Sequence, residues 1–157
     1  MRINIPFWPI TFILLFFAFT GYSQSEDANK YNSEYQKNIQ KTHINGIYIP
    51  KDMADAFSEL NRLISQDNKV LFKSEDEIEA CRSLFFSLGR WITIKWQFYE
   101  GSRFSHYLKQ VGIKHPDDMV FFTLILYHRH LSKKDLDVKN LVEQLNNKTL
   151  IPRKEND

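Results

Sequence analysis

Apolar positions recur at steps of three and four from Met53 onward, and the phase of the recurrence resets several times. Met53, Ala56, Phe57, Leu60, Leu63 and Ile64 share one face of a first predicted helix, with Asp52 placed to cap its free amides. A polar break over 65–68 precedes a short second helix carrying Val70, Leu71 and Phe72. The run Ser74, Glu75, Asp76, Glu77 has the form of a capping box, in which the Ser hydroxyl and Glu carboxylate each answer a free amide. The third predicted helix is long. Its stripe holds Ile78, Cys81, Phe85, Leu88, Ile92, Trp96 and Tyr99, flanked by Leu84, Trp91 and Phe98. So wide an apolar face predicts more than one packing neighbour. Gly89 lies inside it, at a cost of about 1 kcal/mol relative to Ala, which points to a close backbone approach or a local bend.

Gly101 suits a left-handed stop and Ser102 an N-cap, so a new helix is predicted with Phe104, Tyr107, Leu108 and Val111 inward, ending at Gly112. His115, Pro116, Asp117 and Asp118 form a second start signal, with Pro at the first helical position and two acids at the positive end of the dipole. From Met119 to Tyr127 every residue but Thr123 is apolar. Periodicity alone would admit a buried strand there; the start signal and the continuation to Leu131 favour a central, nearly surrounded helix. Val138, Leu141, Val142 and Leu145 mark a last one. The predicted class is all-α: a small orthogonal bundle of five or six helices over 44–146, followed by a polar tail over 147–157.

The beginning of the chain has another character. Arg2 precedes an uncharged stretch from Ile5 to Phe19, and Gly21 and Ser23 supply small residues three and one positions before a cut ahead of Gln24. Residues 1–23 therefore read as a secretory signal peptide. An uncleaved anchor is the rival, but the apolar part falls short of the roughly 18 to 20 residues a span needs, and Pro6 and Pro9 break its start. An exported product, periplasmic or secreted, with no stable membrane span after cleavage is expected. Residues 24–43 are polar and read as a linker whose sizeable apolar anchors are Tyr31 and Tyr35. Asn45-Gly46 is a turn signal, and Ile47 to Pro50 an extended lead into the domain.

Composition narrows the function classes. With 43% hydrophobic and 25% charged residues, the 157 positions suit one modest domain. The balance of 21 basic against 19 acidic side chains, formally +2, excludes a nucleic-acid binder that relies on bulk positive charge. The single cysteine excludes an intramolecular disulfide or a thiolate zinc site; Cys81, on the apolar stripe, reads as a packed core thiol.

The landmarks fall in a recognisable order. Asn45-Gly46-Ile47-Tyr48-Ile49-Pro50 comes first, then Leu88-Gly89-Arg90-Trp91, then Trp96 with Gly101-Ser102-Arg103. Gly112-Ile113, His115-Pro116-Asp117-Asp118-Met119 and Tyr127-His128-Arg129 with Leu131 complete it. This order resembles a bacterial family known as domain of unknown function 6794, over roughly 44–145. Where that pattern has Gly-Gly-Ser-Arg, this chain has Glu100-Gly101-Ser102-Arg103. The resemblance implies a small helical domain and no known activity.

The polar and aromatic landmark residues are the functional candidates: Arg90, Trp91, Trp96, Arg103, His115, Asp117, Asp118, His128 and Arg129. Arg90 and Arg103 with Trp91 and Trp96 could hold an acidic or planar ligand; the structural reading is that each Arg pairs with an acid and ties helices together. Arg103, one position after an N-cap, opposes the helix dipole, so a bridge to Asp117 or Asp118 is expected. His128 and Arg129 sit where cations favour a helix C-terminus. His128 and His130, two apart, cannot chelate one ion, and His106, His115 and Asp118 would need tertiary convergence. Ser102 or Ser105 with His106 lacks a nucleophile elbow. No catalytic residue, metal or cofactor is assigned. The leading reading is a non-enzymatic interaction or accessory domain, with its partner unidentified and an envelope protein one candidate. The rival is a small ligand-binding protein or hydrolase using Arg103, His115 and Asp118.

Overall fold

The structure, a computed structural model, describes residues 29–150. The export segment read over 1–23 and the tail beyond 150 lie outside them. The chain divides into two units, Met1–Lys37 and Asn38–Asp157. The described residues of the first are helical, where polarity alone predicts a linker. Tyr31 and Tyr35, one turn apart, stack with centroids 6.3 Å apart, a contact that supports helix locally.

The second unit opens on a hairpin. Strand β1 (His43–Ile44) pairs antiparallel with β2 (Ile47–Tyr48), His43 opposite Tyr48 and Ile44 opposite Ile47. Asn45 and Gly46 supply φ values of 49° and 76°, the two positive angles that a two-residue hairpin turn requires. Seven helices follow among the described residues: α1 (Met53–Leu63), α2 (Gln66–Ser74), α3 (Glu77–Leu84), α4 (Arg90–Lys95), α5 (Arg103–Val111), α6 (Pro116–Leu131) and α7 (Val138–Asn146). The class is all-α.

The helix count exceeds the expected five or six because the long third helix is two α segments joined by a π turn, Phe85–Gly89, where the Arg90 N–H donates to the Phe85 carbonyl five residues back. A Cβ at Gly89 would stand 2.7 Å from Val120 Cγ1. Close approach and local distortion, the two readings of this glycine, both occur.

Helix α6 is the centre of the domain. Every residue from Met119 to His128 is buried, and each of the other helices and the π turn packs against it. Its lack of amphipathic period follows from neighbours on all sides. The apolar residues of α1, α3, α4, α5 and α7 complete the core around it, Phe57, Leu60, Cys81, Ile92, Phe104, Leu108 and Leu141 among them.

Several boundaries differ from the sequence reading. Helix α2 begins inside the predicted break, capped by the Ser65 hydroxyl, which accepts from the Asn68 amide. Val70 and Leu71 stay exposed; of that trio only Phe72 is buried. Helix α3 is capped by Asp76, whose carboxylate accepts from the Ile78 and Glu79 amides, while the Ser74 hydroxyl donates back to the Leu71 carbonyl. A carboxylate two residues nearer the helix displaces the expected capping box. Helix α4 stops at Lys95, six residues before Gly101, because Gln97 takes the left-handed conformation at φ 53°. The Phe98 amide then donates to the Thr93 carbonyl and the Gln97 amide to Ile94, a Schellman closure that buries Phe98 and turns Tyr99 off the stripe into solvent.

Candidate functional site

Four consecutive residues at the end of α6 reach four different parts of the unit. The Tyr127 hydroxyl donates to Asn61 Oδ1 of α1 at 3.0 Å, and burial pushes its phenol up to about 12. His128 is buried and its Nε2 donates to the Glu75 carbonyl between α2 and α3 at 3.2 Å. Arg129 forks onto Glu77 at the start of α3, Nη2 to Oε1 at 2.8 Å and Nε to Oε2 at 3.0 Å. Its Nη1 donates to the Leu136 carbonyl ahead of α7 at 2.7 Å. The His130 ring stacks on Phe57 of α1 with centroids 4.4 Å apart. The C-terminal turn of α6 thus binds the ends of its neighbours. A cation favoured there by the helix dipole is used as a bidentate strut.

Arg103 ties the start of α5 to the lead-in of the domain with a single hydrogen bond, its buried Nη2 making none. Its Nε donates to the Ile49 carbonyl at 2.7 Å and its Nη2 lies 3.9 Å from Asp55 Oδ2, with the guanidinium 5.1 Å from the Tyr48 ring centroid. The expected bridge to Asp117 or Asp118 is absent; the acid that answers Arg103 is Asp55, 48 positions earlier in the chain. Burial alone would raise the Asp55 carboxyl. The Lys51 amide, the Tyr48 hydroxyl and Arg103 outweigh it and hold the carboxyl below its ordinary value.

The remaining candidates separate into a core pair and a surface group. Trp96 is fully buried, edge-on to Trp91 and to Phe104 at 6.2 and 5.2 Å between centroids; no ligand could stack on it. Ser102 and Ser105 are buried and exchange backbone and hydroxyl bonds in the capping box of α5. Asp117 and Asp118 lie in the first turn of α6, and with His115, Phe85, Phe121, Leu145 and Lys148 they line a cleft of about 300 Å³. Arg103 does not line it, so the three residues of the proposed hydrolase do not share one cavity. Among the described residues no three His, Cys, Asp or Glu side chains converge on a point where a metal could sit.

A second cleft, of about 240 Å³, adjoins the first across Phe85 and Asp117 and is lined also by Phe86, Gly89, Arg90, Thr93, Ile94 and Tyr99. Phe86 is 83% exposed, and Ile94 and Tyr99 are more than half exposed. The Tyr99 hydroxyl donates to Asp117 Oδ1 at 3.4 Å, and the charge of Asp117 raises that phenol. Arg90 is exposed at this rim. Four of the sequence candidates, Arg90, His115, Asp117 and Asp118, therefore border a groove over the π turn made of these two adjoining clefts, which share Phe85 and Asp117. Trp91 faces elsewhere, into an apolar hollow with Leu63, Ile64, Ser87 and Leu88.

Residues 49–131 match a family model described as Domain of unknown function (DUF6794). The chain belongs to this family. Its matched range opens at Ile49, whose carbonyl Arg103 holds, and closes at Leu131, the last residue of α6. No curated protein and no solved structure matches the chain. Within the DUF6794 domain the sequence reading missed Phe86, Ile94 and Tyr99 as surface residues, and Glu77 and Asp55 as partners of the struts. Phe86 and Ile94 carried a signal: each is an apolar residue over 78–99 that fits neither the stripe nor its flank.

Proposed function

We propose that this DUF6794 domain is a non-enzymatic interaction module of an exported protein, and that its working surface is the groove over the π turn. The observation that carries the reading is a division of labour among its landmark cations. Arg103 and Arg129 are committed to carbonyls and carboxylates within the domain, whereas Arg90 stands at a rim beside a phenylalanine that is almost wholly in water. An exposed aromatic beside a cation is the pairing found at the centre of protein interfaces, and a π turn in a helix is frequently kept for function. Export rests on the signal-peptide pattern of 1–23, and terminal sequencing of the processed chain should read Gln24 first.

The test is photo-crosslinking in the exporting cell. A benzophenone side chain at position 86 should give discrete protein adducts, and the same group at the exposed position 139 of α7 should give none. Equal labelling from both positions, or none from position 86, would remove the reading. So would a hydrolytic activity abolished by Arg103→Ala at unchanged stability.

A further inference from the structure

The face around the π turn carries both halves of a lock. Phe86 projects from it, and beside Phe86 lies a cleft of about 240 Å³ walled by Phe85, Thr93, Ile94 and Tyr99. An apolar cavity of about 150 Å³ accepts a benzene ring, so the cleft has room for one phenyl group. The face is also of both signs. Arg90 and Asp117 line the same cleft, yet they make no ion pair with each other, and among the described residues the Arg90 side chain has no hydrogen bond or ion pair. A two-fold interface requires such a patch, because every knob must find a hole and every cation an anion on an identical surface.

We propose that a second copy of this chain covers this face, the Phe86 ring of each copy seated in the cleft of the other and Arg90 of each facing Asp117 of the other. The inference rests on the groove's being the interaction surface, and it names the occupant. Charge complementarity selects the second copy. An acidic peptide would satisfy Arg90 and repel Asp117, and a basic one would do the reverse; an identical surface turned through 180° satisfies both. The side chains engaged are few beside the roughly 20 to 30 residues per side of a standard interface. Association is therefore weak, dependent on concentration, and loosened by salt as the two charge pairs are screened.

Sedimentation equilibrium over a wide concentration range, on the chain as it accumulates in the cell, tests this. The parent should show a monomer–dimer equilibrium. Arg90→Asp and Asp117→Arg should each weaken it by at least about tenfold, since either change sets like charges face to face twice. An equimolar mixture of the two variants should restore dimerisation, because each reversed charge then meets its opposite. Phe86→Asp should abolish association without touching a helix start, and thermal melts of all three verify that they remain folded. A parent that stays monomeric, a mixture that fails to recover while both variants are folded, or a dimer indifferent to Phe86→Asp each overturns the proposal. If the parent is monomeric while position 86 still crosslinks to a different protein, the second copy is refuted and the interaction module survives. If position 86 crosslinks to nothing, both fall.

Discussion

Arg129 holds both carboxylate oxygens of Glu77 across 52 positions of sequence, at 2.8 and 3.0 Å, with the two side chains only 15% and 18% exposed. The pair joins the last turn of the central helix α6 to the first turn of α3. The acid also serves the N-terminal dipole of its own helix, and the cation the C-terminal dipole of α6. Beside it the buried His128 places Nδ1 3.8 Å from Glu77 Oε2, beyond hydrogen-bond reach, and is held instead by its Nε2 bond to the Glu75 carbonyl.

The close approach at the π turn predicts that Gly89→Ala destabilises the domain. Helix propensity favours Ala by about 1 kcal/mol, but the new methyl would meet the stiff, buried Val120 at 2.7 Å, and overpacking of that kind costs roughly 1 to 3 kcal/mol. Urea denaturation should show a net loss that Val120→Ala in the same chain partly recovers. A Gly89→Ala variant more stable than its parent would show that α6 does not pack there.

Leu124 occupies the middle of α6 and is wholly buried. Leu124→Ala should cost about 2 to 5 kcal/mol in the same assay, whereas Leu71→Ala, at a side chain 60% exposed, should leave the midpoint unmoved.

Acid should weaken the lead-in of the domain through Asp55. Its carboxyl is held below the ordinary value in the folded chain, so below pH 4 the unfolded state binds more protons and stability falls with pH. The contribution is fully present above the ordinary carboxyl value and is lost as pH drops through the lowered one. Asp55→Asn should therefore be less stable than the parent at pH 6, with the gap closing as the pH is taken toward 2. A gap that widens on acidification would contradict the sign.

What the sequence reveals and what it hides have physical causes. The central helix is legible because Pro116, Asp117 and Asp118 announce a start and the uniformly apolar run leaves no solvent face. The π turn is hidden because one extra residue in a turn leaves the three-and-four spacing of Cys81, Phe85, Leu88 and Ile92 intact. Gln97 as a left-handed stop is hidden because glycine is the usual signal and Gly101 stood nearby. The candidate residues were visible by type; their partners were not. Glu77 and Asp55 are separated from Arg129 and Arg103 by about 50 positions, and local spacing carries no record of such pairings.

On the proposed reading, the landmark cations divide between holding the fold, as Arg129 does, and meeting a partner, as Arg90 does. The most direct measurement sets Arg129→Ala beside Arg90→Ala in equilibrium unfolding by urea. Loss of the first strands a largely buried Glu77 and should cost roughly 3 to 5 kcal/mol. Loss of the second should leave the midpoint unchanged while removing adducts from a benzophenone at position 86. Equal stability losses from the two, or an Arg129→Ala variant as stable as its parent, would contradict that division.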